Sequence, residues 1–260
     1  MSTSNKKLKV CFDGCSLTFG EGFASDIRED YIYCYLIAKK FNFDLTNIAK
    51  GGSSNYTIFM RSAQAILSQQ YDVVFTQWSA LQRLWLYPGP DAQFFLNDSK
   101  YPDFKYRDLY ISASEKTKLK KLILMLNHDY HNILDLVDYC KILQQLADHN
   151  KTKLVYINGH VPWRDDLIAK IDNDNIGQSL SDYSKKMLDF ENRDDDEIIK
   201  FFNRLQEKIK ELDQSKWVNL FNSCHLMSTD VGPEGHHPGI NSHQWMADQI
   251  ENYLTQNQIL

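Results

Sequence analysis

Residues 8–13, LKVCFD, running into 14–22, GCSLTFGEG, form the stretch from which the fold is read. A short run rich in β-forming side chains stops at Gly14 and gives way to small and turn-forming residues, while Tyr31, Leu36, Ile37 and Phe41 then recur at roughly helical spacing within 30–41. The order is strand, loop, helix. A second extended segment near 43–48 ends in KGGSSN, and Ile58, Ala63, Ile66 and Leu67 predict a helix beginning near Asn55. Residues 72–77, DVVFTQ, are almost continuously apolar, as suits a strand covered on both faces. KLVYIN at 153–158 reads as a fourth strand, and WVNLF at 217–221 as a fifth. The fifth is preceded by the periodic set Ile198, Phe201, Phe202, Leu205, Ile209 and Leu212. Alternating strands and helices require a parallel sheet between helical layers, a three-layer α/β/α sandwich.

The rhythm breaks between 88 and 152. Residues 88–114 are rich in Pro, Asp and aromatic side chains, and 117–147 carry a leucine-rich helical pattern. This interval reads as an insertion, a loop with one or two helices capping the sheet, within one domain spanning 1–260. The acidic run in 190–197, FENRDDDE, reads as a solvated loop and a helix start, where carboxylates complement the helix dipole.

Composition narrows the classes of function. The chain has 260 residues, 43% of them hydrophobic and 24% charged, which suits a globular protein. A net charge of -5 argues against a general attraction for nucleic acid, and the basic run KTKLKK at 116–121 reads as a solvated helix end. No apolar run approaches a membrane span, and the start reads as a short tail feeding a strand rather than a signal peptide. Cys11, Cys15, Cys34, Cys140 and Cys224 are odd in number and scattered, so a reducing, cytoplasmic home is expected.

Two segments carry chemistry. Ser16 lies where the first strand turns, a place that lifts a hydroxyl above the carboxyl edge of a parallel sheet. Near the other end, DVGPEGHHPGINSH holds His236, His237 and His243 with Asp230 and Glu234. A serine nucleophile needs a base to take its proton and an anion to orient that base, and this segment offers both. The same residues with Cys224 and His225 include metal-ligand types, but adjacent His236 and His237 point apart and no CxxC or HExxH spacing accompanies them, so no metal or other cofactor is expected. KGGSSN lacks the spacing of a phosphate-binding Walker loop. Arg83 and Trp85, and His160, Pro162 and Trp163, fall in loops at the sheet edge where pocket walls form.

These blocks together resemble the SGNH hydrolase superfamily, also called GDSL-like lipases and acylhydrolases, over nearly the whole chain. The family's GDSL block is matched by Gly14-Cys15-Ser16-Leu17, its glycine block by Gly52 with Gly51 as the near alternative, and its acid-x-x-His-Pro block by Glu234-Gly235-His236-His237-Pro238. Gly239 and His243 extend the last match. The resemblance implies a flavodoxin-like sheet of five parallel strands, Ser16 as nucleophile, His237 as base, Glu234 as the orienting acid with Asp230 as rival, and backbone N–H groups of Ser16 and Gly52 as oxyanion donors. The sequence departs from the family at Cys15, where Asp is usual, at Glu234, also usually Asp, and at Gln77-Trp78-Ser79-Ala80, where GxND is usual. Ser79 aligns best with the missing Asn donor, with Gln77 as the alternative. Asn55, Gln77, Trp78, Arg83 and Trp163 are the candidate substrate contacts. The activity implied is hydrolysis of a small ester or acylated glycan. A degenerate glycan- or protein-binding domain and an acyltransferase are the other readings.

Overall fold

The computed structural model describes residues 7–79, 84–86, 107–109, 129–158, 195–220, 230–232 and 237–259. Five strands, β1 (Lys9–Asp13), β2 (Asp44–Asn47), β3 (Val73–Trp78), β6 (Lys153–Asn158) and β7 (Trp217–Asn219), form one sheet in the order β2-β1-β3-β6-β7. Every neighbouring pair is parallel, with Phe12 beside Asn47, Asp13 beside Thr76, and Trp78 beside Asn158. This is the flavodoxin-like order, in which the direction of winding reverses between β1 and β3. Between β3 and β6, β4 (Leu84–Leu86) and β5 (Arg107–Leu109) form a separate antiparallel pair in a region expected to be loop.

Alternation along the strands builds two cores. Val10, Phe12, Val73, Phe75, Val155, Ile157 and Val218 face one side, with Phe12 and Phe75 stacked 4.1 Å apart. There they meet α3 (Tyr33–Phe41) and the last helix, α7 (Ile240–Gln256). Cys11, Val74, Trp78, Leu154, Tyr156 and Trp217 face the other side, against α4 (Asn55–Leu67), α5 (Asp129–Asn150) and α6 (Asp195–Lys210). The sandwich read from periodicity is therefore the observed one. The expected helix over 30–41 is divided: α2 (Arg28–Tyr31) stops where Ile32 turns extended, and α3 restarts after it.

α5 falls within the stretch 88–152 assigned to a cap, yet Ile133, Leu136, Val137, Cys140, Leu143 and Ala147 are buried in the core beneath the sheet. The Tyr156 hydroxyl donates to the Cys140 carbonyl at 2.5 Å, tying this helix to β6. Its leucine-rich pattern would suit a cap helix equally well, and only the burial partner separates the two. Among the described residues no helix is long and apolar enough to cross a membrane.

Candidate active site

The carboxyl ends of β2, β1 and β3 lie side by side, so the loops that follow them are neighbours. From β1 the chain passes through Gly14 and Cys15 into α1 (Ser16–Phe19), placing Ser16 at the first helical position. Gly14 is required by close approach: a Cβ there would stand 2.4 Å from Thr18 Oγ1 and 2.9 Å from Gln77 Cβ. Beneath this turn lies Gln77, whose Oε1 accepts from the Cys15 amide at 3.3 Å, the Cys15 thiol at 3.2 Å and the Thr18 hydroxyl at 3.1 Å. Its amide nitrogen donates to the Trp78 carbonyl. Gln77 is thus a fully buried prop under the turn that carries Ser16. Cys15 supplies, through its amide and its thiol, two of the donors that Gln77 Oε1 accepts from.

A second support was not expected from sequence. Asp13, the last residue of β1, is completely buried, and its Oδ1 accepts from Arg61 Nε at 2.9 Å and Nη2 at 2.7 Å. Arg61 Nη2 also donates to the Gly14 carbonyl at 2.9 Å, and Nη1 to the Ser53 hydroxyl at 3.0 Å. Ser53 in turn donates to the Lys50 carbonyl at 2.9 Å. One guanidinium on α4 therefore fastens the loop carrying Ser16 to the loop carrying Gly52. The remaining Asp13 oxygen accepts from Ser62, whose hydroxyl also receives the Thr76 hydroxyl. Burial pushes the Asp13 carboxyl up to about 6, with Arg61 and these hydrogen bonds pulling the other way.

The loop after β2 is held to α1 by Asn47, which donates to the Thr18 carbonyl at 2.8 Å. Gly52 has φ +74° and a Cβ on it would meet nothing within 4 Å, so its glycine serves backbone conformation rather than space. Ser54 then caps α4 by accepting from the Thr57 amide. Asn55 places both ends of its side-chain amide on Ser79: Oδ1 accepts from the Ser79 N–H at 2.7 Å, and Nδ2 donates to the Ser79 carbonyl at 3.2 Å. That clasp makes Asn55 a positioner of the loop after β3. Ser79 is fully buried, and its hydroxyl has no hydrogen-bond partner among the described residues. Trp78 is also fully buried, 5.9 Å from the Tyr156 ring, and so belongs to the core instead of the pocket wall.

The terminal block reaches the same edge. His237 Nε2 lies 3.9 Å from Glu21 Oε2, and a Cβ on Gly51 would come within 2.3 Å of that same oxygen. Glu21 follows α1 directly, its amide bonded to the Ser16 carbonyl at 3.0 Å. Through Glu21, the segment holding His237 joins the nucleophile turn and the glycine loop. Asp230, the rival orienter, has another occupation. Its carboxylate accepts from the Asn241 and Ser242 amides at 2.8 and 2.9 Å and from the Ser242 hydroxyl at 2.6 Å, capping α7. Burial alone would raise this carboxyl, but the Ser242 hydroxyl and the two amides hold it below its ordinary value. Glu234, Arg83 and Trp163 lie outside the described residues, as do His160, Pro162, His236, Cys224 and His225.

No protein-family profile matches the sequence, and no curated protein sequence matches it. Solved structures do. The chain is similar to the psychrotrophic esterase EstA from Pseudoalteromonas sp., inhibited by monoethylphosphonate, at 11% identity and TM-score 0.49, covering 96% of this chain and 98% of that one. It is similar to a catalytic mutant of Axe2, an acetylxylan esterase from Geobacillus stearothermophilus, at 11% identity and TM-score 0.48, over 95% and 94% of the two chains. The acetyl xylan esterase AlAXEase matches at 14% identity and TM-score 0.45, over 94% and 98%. The sheet order and flanking helices are themselves the architecture that the sequence blocks implied.

His243 is not part of the reactive group. It is 1% exposed, 5.5 Å from the Phe23 ring and 6.0 Å from the Tyr33 ring, with Nδ1 unpartnered among the described residues. Burial pushes it down to about 4, aided by His237 and opposed by Asp230. A histidine depressed on folding contributes stability that is complete above its unfolded value near 6.5 and is lost as pH falls toward 4, by about 3 kcal/mol in all. His243→Leu should therefore flatten the acid limb of a stability profile measured by urea unfolding between pH 7 and 4. Among the described residues no group of three or more His, Cys, Asp and Glu is placed to hold a metal ion.

Proposed function

We propose that this chain is a serine ester hydrolase that removes a small acyl group from a carbohydrate or another small alcohol. The observation that supports it is the meeting, at one sheet edge, of the Ser16 turn, the Gly51-Gly52 loop and His237, joined through Glu21. His237 takes the Ser16 hydroxyl proton as Ser16 Oγ attacks the ester carbonyl. The tetrahedral oxyanion is met by the Ser16 and Gly52 N–H groups and by the Ser79 hydroxyl. Collapse expels the alcohol, which leaves with the proton carried by His237. Water then attacks the acyl-enzyme, gives its proton to the same histidine, and releases the acid and free Ser16. Glu234 orients the ring from its other nitrogen.

Ser79 supports this reading because its buried hydroxyl has no partner among the described residues, and a buried hydroxyl left unpaired destabilises a fold by about 1–3 kcal/mol. Ser79→Ala is expected to lower kcat on an activated ester about a hundredfold, the effect of losing one oxyanion donor. Its Tm should hold or rise, since no bond among the described residues is lost. Unchanged kcat removes Ser79 from the mechanism. The reading as a whole is tested with a panel of activated esters of several acyl sizes, a glycan ester, and a serine-directed phosphonate. Turnover with phosphonate attached at Ser16 sustains it. No turnover and no label on the folded protein overturns it in favour of a binding domain.

A further inference from the structure

We infer that Glu21 sets the charge selectivity of the site, admitting uncharged esters and turning away those that carry a carboxylate near the reacting carbonyl; this rests on the hydrolase reading above. Glu21 Oε2 sits 3.9 Å from His237 Nε2, the nitrogen that faces Ser16 in that reading. The same oxygen lies flush against Gly51, beside the amide that meets the oxyanion. Its side chain is 48% exposed, so the carboxylate stands at the mouth of the site rather than inside the fold. The backbone fixes it there, because its amide and that of Gly20 both bond to the Ser16 carbonyl. In the hydrolase reading, an ester held between Ser16 and His237 lies beside this negative charge.

Two described arginines of this corner, Arg28 and Arg61, are engaged elsewhere. Arg61 is committed to Asp13, Gly14 and Ser53, and Arg28 lies 4.2 Å from the Phe19 ring centroid and donates to the Phe23 carbonyl. A neutral sugar alcohol meets Glu21 as a hydrogen-bond acceptor for its hydroxyls. A second carboxylate meets it as a like charge, and at such separation in a partly wet site the repulsion is worth about tenfold in rate or more.

The test compares the acetate esters of 3-hydroxybenzoic acid and of its methyl ester, in which the rigid ring keeps the carboxylate from attacking the reacting carbonyl, at low ionic strength. In the unaltered protein kcat/KM should favour the uncharged diester about tenfold beyond the ratio of their spontaneous hydrolysis rates. Glu21→Gln should bring that preference down about tenfold, Glu21→Lys should reverse it, and added salt should shrink it in the unaltered protein alone. Any influence of Glu21 on the imidazolium acts on both esters and cancels in the ratio. A preference that survives both substitutions overturns the inference and leaves the hydrolase reading standing. Turnover of neither ester by the unaltered protein overturns both.

Discussion

Ser16→Ala should lower ester turnover by at least about a thousandfold while shifting thermal unfolding by no more than a degree or two. The asymmetry follows from the surroundings of the hydroxyl. Ser16 is 3% exposed, and among the described residues its Oγ makes one marginal contact, with the Cys15 thiol at 4.0 Å, so its removal deletes little that holds the described fold. The turn itself is secured by the Gln77 carbonyl, by Thr18 and by the Arg61 guanidinium, all of which remain. His237→Ala should be comparably severe, because the hydroxyl then has no base. Active-site titration with a phosphonate, alongside circular dichroism melting, separates loss of the nucleophile from loss of the fold. A Ser16→Ala protein that still turns over ester at near the original rate would place the chemistry elsewhere.

The largest effect on stability is expected at Asp13. Asp13→Ala leaves Arg61, whose side chain is 15% exposed, without its anion and should destabilise the protein by about 3–5 kcal/mol. Asp13→Asn should be much milder, since the amide oxygen still accepts from Arg61 and the amide nitrogen can donate to Ser62. Both variants also differ from the unaltered protein in how pH acts on them, since neither keeps a carboxyl at this position to titrate. With the folded carboxyl at about 6 and the unfolded one at 3.8, the folded state holds more protons between those values. The contribution of Asp13 to stability therefore rises as pH falls from 6 to 4, the reverse of a surface ion pair and opposite in sign to His243. Urea titrations of the two Asp13 variants and the unaltered protein across pH 4–7 would read both effects. Equal destabilisation by Ala and Asn would mean that charge, not hydrogen bonding, is what Arg61 requires.

The sandwich was legible because each core strand advertises itself. VVFTQW is buried at every position, and a strand with two apolar faces has only one kind of home. The ends of the nucleophile turn and the glycine loop were legible for a related reason: Gly14 and Gly52 mark close approach and positive φ, which few residues tolerate. What escaped was the division of labour among polar residues. Gln77 and Asn55 look alike as substrate contacts in a linear sequence, yet one props a turn and the other clasps a backbone. Asp230 and Glu234 look alike as orienters, and only the position of α7 shows that Asp230 is its cap. Arg61 carried one faint signal: an ionic residue on a helix whose neighbouring positions face the core, opposite a strand that ends in a lone acid. Pairing the two needs the third dimension, because they stand 48 positions apart in the sequence.

The distance along the chain between Ser16 and His237 has a consequence in time. Synthesis delivers β1 and the serine turn early, but the histidine segment is held in place by the docking of α7, through Ile250 and Leu254 against the inner core and Lys40 with Glu251 at the surface. Parallel strands joined by long crossovers close slowly, and their distant ends close last. On the ribosome, a nascent chain would carry Ser16 without His237 beside it until α7 has been made and docked. In the hydrolase reading the site stays silent until then, a delay enforced by the order of the sheet.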